Sequence, residues 1–128
     1  MTIEDKQRLV YLLNEAIELS GDYHAQLTNT EKFAQWNLPD ELGESWIAIR
    51  DMGIVDALNN SDVLPREAID AANRIIDRFN AAFQLPEDEQ VQVYSHTAMQ
   101  DSAFWKMQRQ DARALIPILQ RALGSMQV

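Results

Sequence analysis

Pro65-Arg66-Glu67-Ala68-Ile69-Asp70-Ala71-Ala72-Asn73-Arg74-Ile75-Ile76-Asp77-Arg78-Phe79-Asn80-Ala81-Ala82-Phe83 is the stretch that decides the fold class. Ile69, Ala72, Ile76, Phe79 and Phe83 follow one another at intervals of three and four residues, which is helical spacing rather than the alternation of a strand. Arg66, Glu67, Asp70, Asn73, Arg74, Asp77 and Arg78 fall mostly off that seam. A proline at the opening turn gives up no N–H that the helix needs, and Pro86 stops the pattern. One apolar seam cannot bury itself, so other helices must cover it.

Candidates lie on both sides. Upstream, Thr2 with Asp5 resembles a capping box, and Leu9, Leu12, Leu13, Ala16 and Ile17 are expected on one helix face that ends near Gly21. Asp22–Asn29 reads as a connector, and Thr30–Trp36 as a short helix. Pro39-Asp40-Glu41 opens another helix, with acids in the first turn where the helix dipole favours them. Its pattern runs through Trp46, Ile47, Ile49, Ile54, Val55 and Leu58, either bent or divided at Gly53. Downstream, Glu87-Asp88-Glu89 begins a helix or lines a loop, and Val91-Gln92-Val93-Tyr94 alternates like a short strand. Thr97 with Gln100 reads as a second capping box ahead of Phe104, Met107, Leu115, Ile118, Leu119 and Ala122. Pro117 within that run predicts a kink or a helix junction. The expected architecture is all-α, a single domain over residues 1–128 built as a bundle of four to six helices.

Composition narrows the function. The chain has 128 residues with 20 acidic and 11 basic side chains, a formal charge of −9, and no cysteine. Such a surface repels phosphates, so direct binding of nucleic acid is not expected. Without cysteine there are no disulfides, thiolate metal sites or cysteine nucleophiles. No basic, apolar leader and no apolar run of about 20 residues is visible, so a cytoplasmic protein without membrane contact is expected. The charge is uneven: residues 1–90 carry 18 acids and 7 bases, and residues 91–128 carry 2 acids and 4 bases. The acidic surface therefore belongs to the helices before residue 90.

Few residues offer catalysis. His24 and His96 have no Glu or His at the spacing that puts two metal ligands on one helix face. The four glycines are scattered and form no phosphate loop. Ser20, Ser45, Ser95 and Ser102 lack a nucleophile-elbow context. Carboxylates are the exception, since Mg²⁺ favours oxygen ligands. Glu41 and Glu44 stand three apart, Glu67 and Asp70 likewise, and 22 residues between Glu44 and Glu67 leave room for an antiparallel return.

That run resembles the signature of MazG-like all-α nucleoside triphosphate pyrophosphohydrolases, over about a quarter of the chain. The resemblance implies Mg²⁺ held by Glu41, Glu44, Glu67 and Asp70, with a water attacking the α–β linkage of a nucleotide. Asp40 stands where the family has its first Glu, and Pro39 places Asp40 and Glu41 in a first helical turn.

Three readings follow. The first needs no catalytic residue and no cofactor: an acidic module that binds a basic protein, as an immunity protein or antitoxin neutralises a nuclease-type toxin. Its expected contact residues are Asp40, Glu41, Glu44, Trp46, Asp51, Asp56 and Asp62. The second is the Mg²⁺-dependent hydrolase that the resemblance implies. The third is a non-catalytic structural subunit. Oligomeric state has no signal in the sequence.

Overall fold

The computed structural model describes residues 2–21, 23–28 and 38–125. The described residues form helices and connectors: α1 (Ile3–Ser20), α2 (Tyr23–Thr28), α3 (Leu38–Asp51), α4 (Ile54–Asn60), α5 (Arg66–Phe83), α6 (Glu87–Val93), α7 (His96–Asp101) and α8 (Ala103–Ser125). The fold is all-α. Eight described helices exceed the four to six expected, because short helices replace connectors. Asp22–Asn29 contains α2, and the stretch read as a strand, Val91–Tyr94, belongs largely to α6. Two alternating valines are too short a window to distinguish a strand from a helical turn. The helix expected over Thr30–Trp36 lies outside the described residues.

Four long helices hold the core. α8 packs most extensively on α1 and also covers α5, while α3 lies on the other flank of α5. α5 is thus sandwiched, which explains why its buried face is wider than the predicted seam. Ala68, Ala71, Ile75 and Ala82 are buried along with Ile69, Ala72, Ile76 and Phe79, while Phe83 is half-buried. Alanine on the flanks lets neighbouring helices approach closely.

α1 and α8 differ from the sequence expectation in phase. The buried stripe of α1 is Asp5, Leu9, Leu12, Ala16 and Leu19, whereas Ile17 is exposed and Leu13 half-buried. Asp5 sits in the core with its N–H donating 3.0 Å to the Thr2 cap hydroxyl. Its carboxylate accepts from Arg8 at 3.0 Å and from the Ser61 hydroxyl at 3.2 Å. In α8, Trp105, Gln108, Arg109, Ala112, Leu115 and Leu119 face inward, Phe104 is half-buried and Met107 is exposed. Gln108 Nε2 donates 2.9 Å to the Ile75 carbonyl, and Arg109 donates to the Met99 carbonyl and to Gln26. Polar residues that find such partners can occupy core positions.

Several local signals resolve clearly. Gly53 adopts the left-handed conformation (φ 69°), so the chain forms two helices at that point rather than one bent helix. Ser95, not Thr97, caps α7 by accepting from Ala98 N at 3.0 Å. α8 runs on through Pro117 to Ser125; the helix junction falls earlier, at Ser102. Among the described residues no helix is long and apolar enough to cross a membrane.

Candidate functional site

α3 carries the acidic residues of interest, and its register separates them from the core. Leu42, Gly43, Trp46 and Ile49 are buried, while Glu41, Glu44 and Asp51 are exposed and Asp40 is half-exposed. At 100° per residue Asp40, Glu44 and Asp51 fall on one stripe, with Ile47 and Ala48 beside it. Trp46 was expected at a contact surface but is 0% exposed, so a core ring replaces that expectation. Its place follows from the helical period: Leu42, Trp46 and Ile49 are spaced to share a face, and a large ring is buried ahead of the small residues beside it.

Beside the stripe lies a groove of about 330 Å³ lined by Glu44, Ile47, Ala48 and Asp51 from α3 and by Asn80 and Phe83 from α5. Gly43 lies against its Phe83 wall. A Cβ at that position would come within 3.0 Å of Tyr94 and 3.1 Å of Phe83, so glycine lets the aromatic pair lie against α3. Phe83 and Tyr94 are stacked, with centroids 4.6 Å apart and planes 16° from parallel. The Tyr94 hydroxyl donates 3.2 Å to the Phe79 carbonyl. Its burial, with the charges of Asp40 and Glu44 nearby, holds that hydroxyl well above the ordinary phenol range. Asp40 is also raised, first by its own burial and then by the like charge of Glu41. The groove is an apolar trough in a negative field.

Two lining residues bind a cation of the chain itself, Arg50. Arg50 Nε donates 3.1 Å to Asp51 Oδ1, Nη2 lies 3.1 Å from the same oxygen, and Nη1 donates 2.8 Å to Asn80 Oδ1. Arg50 therefore ties α3 to α5 and offsets one of the groove's carboxylates. Asp56 and Asp62 are exposed on and after α4 but do not line the groove; Asp62 sits at φ 55° in the turn ahead of α5.

The carboxylates of the metal reading do not converge. Glu44 shares the groove with Phe83, and Asp70 precedes Phe83 by 13 positions, about 20 Å of helix at 1.5 Å per residue. Asp70 is engaged by Arg66 at 3.2 Å within its own helix, and Glu67 is exposed at the start of α5. Among the described residues no group of three or more His, Asp or Glu side chains could hold a metal ion. The antiparallel return expected from the spacing does occur, since Arg50 meets Asn80 and Gly43 lies against Phe83. It pairs Glu44 with the far end of α5 instead of with Glu67.

His96 does not line this groove. His96 Nδ1 is 2.6 Å from the Tyr23 hydroxyl, bridging α7 and α2. The α5 side of the groove (Asn80, Phe83) and Tyr94 were not among the contact residues expected from the sequence. A half-buried Phe83 at the end of the α5 seam was the available signal, and its acidic neighbours come from another helix. No protein-family model matches this chain, and no curated protein or solved structure matches it either.

Proposed function

We propose that the chain is an acidic protein-binding module: one domain, with its four long helices as a single bundle, that works in the cytoplasm by holding a basic protein. Neutralising a nuclease-type toxin, as an immunity protein or antitoxin does, is the specific role that fits such chemistry. The observation that carries this reading is the stripe Asp40–Glu44–Asp51 alongside an open groove with an apolar floor. Carboxylates on a rim steer a cationic partner and set its register, and the apolar floor supplies desolvated contact. The distance of Glu44 from Glu67 and Asp70 supports this reading over the hydrolase one.

Affinity capture with the intact chain, followed by titration of each captured protein, tests the proposal. The expected partner has a basic isoelectric point, loses its own activity when bound, and binds more weakly as salt rises through the range where the Debye length falls from about 10 to 3 Å. Capture of no basic protein, or binding indifferent to salt, overturns the reading.

A further inference from the structure

The two ends of the α3–α5 groove differ, and the difference indicates what enters it. At one end two lining residues, Asp51 and Asn80, are already engaged by the guanidinium of the adjacent Arg50. At the other end Glu44 is exposed and makes no ion pair among the described residues. The floor between them is Ile47, Ala48 and Phe83, with Tyr94 stacked behind Phe83. The volume, about 330 Å³, is at the small end of the roughly 300–1,000 Å³ range of ligand clefts. That size suits one long side chain better than a whole helix.

We propose that the groove seats a single arginine side chain of the basic partner. This rests on the reading of the partner as basic and deepens it. The alkyl stem lies along Ile47 and Ala48, and the guanidinium reaches Glu44 over the Phe83 ring. Arginine fits better than lysine, because a planar guanidinium can face an aromatic ring and meet a carboxylate through two donors. Arg50 acts as the stop: by occupying Asp51 and Asn80 it leaves Glu44 as the anion that sets register. The chain's own Arg50 thus shows the groove's acceptors binding the group that the partner is to supply.

The probe is octa-arginine, titrated into the isotopically labelled full chain at low salt, with octa-lysine as comparison. Saturable shifts are expected at Ile47, Ala48 and Phe83, with tighter binding of the arginine peptide. Glu44→Gln should weaken binding about fivefold, and Asp56→Asn should change it by less than about twofold. Arg50→Met keeps the stem but frees Asp51 and Asn80, and should tighten binding about two- to fivefold. Shifts centred on Asp56 and Asp62, or equal affinity of Glu44→Gln and the parent, overturn the groove assignment while leaving a basic partner in place. Weaker binding by Arg50→Met likewise contradicts Arg50 as the stop. Failure of both peptides to bind at low salt removes both the groove assignment and the basic-partner reading.

Discussion

Trp105 and Trp46 are the two bulkiest fully buried side chains among the described residues, and the molecule holds them in different ways. Trp105, in the corner formed by α6, α7 and α8, donates from Nε1 to the Val93 carbonyl at 2.8 Å. Its ring meets Phe79 and Phe104 edge-on at 5.5 Å each, and Tyr94 at 6.2 Å. Trp46, on α3, has a buried Nε1 with no acceptor among the described residues. The same contrast separates two carboxylates of α1. The Asp5 carboxylate accepts from Arg8 and Ser61, and its N–H donates to Thr2 Oγ1, whereas Glu15 has a buried Oε2 with no partner among the described residues. Burial is therefore not one kind of environment here. The α6–α8 corner is fixed by directional bonds as well as packing, and the α1–α3 side carries polar atoms that packing alone keeps in place.

The largest test of the contrast truncates the anchored ring. Trp105→Ala should cost about 3–5 kcal/mol, through lost burial and an imperfectly closed cavity, measured by denaturant unfolding. A loss below about 1 kcal/mol would show that the corner is not a structural anchor. A sharper comparison replaces each tryptophan by phenylalanine. The volume removed is the same, so the difference isolates the indole hydrogen bond. Trp105→Phe should be worse than Trp46→Phe by about 1–2 kcal/mol, because only the former leaves a carbonyl without its partner. Equal losses would break the comparison.

The same distinction explains what the sequence could disclose. The α5 seam was legible because Ile69, Ala72, Ile76 and Phe79 are apolar at core positions and charged residues mark the outer face. α8 was out of phase because Gln108 and Arg109 occupy core positions, where they reach the Ile75 and Met99 carbonyls. Apolar periodicity has no way to register a glutamine whose hydrogen bonds are satisfied 33 positions away. In α1, Asp5 inside and Ile17 outside misled the reading for the same reason. On the site, Asp40, Glu44 and Asp51 share a helix face by spacing alone, so their half of the groove could be read. The Asn80–Phe83 half depends on how α5 crosses α3, which no local pattern encodes. Trp46 was misplaced because its acidic neighbours outweighed its own position on the apolar face.

Glu15 turns the contrast into a pH dependence. Burial, aided by the charge of Glu18, raises its carboxyl to about 7 from an ordinary value of 4.5. The folded chain then holds a proton that the unfolded chain releases between those two values, so stability falls as pH rises through this window. Below about 4.5 the penalty vanishes, and above about 7 it is complete. With part of the side chain open to water, the penalty is about 1 kcal/mol after allowance for screening. Glu15→Gln should therefore stabilise the fold at pH 8 and leave it nearly unchanged at pH 4.5. Asp5 has the opposite sign. Burial raises its carboxyl, but bonds from Ser61, Thr2 and Arg8 outweigh that and hold it below the ordinary range. Its contribution is present above the ordinary carboxylate value and is lost as pH falls through the lowered one. Melting curves across pH for Glu15→Gln and Asp5→Asn should diverge in opposite directions; parallel curves would remove the distinction.

The smallest expected stability effect falls at the groove, and its smallness is informative. Glu44 is exposed and without an ion pair among the described residues, so Glu44→Gln should alter unfolding free energy by less than about 0.5 kcal/mol. The side chain contributes a negative rim to an apolar trough without contributing to the core, a use of charge that folding does not require. If Glu44→Gln left stability unchanged and weakened association with the proposed basic partner, the acidic edge would be separated from the polar anchors of the interior. A destabilisation of about 2 kcal/mol or more would instead make Glu44 part of the structural framework, like Asp5. The charge at the groove would then have an architectural explanation, and the case for a docking surface would lose its main residue.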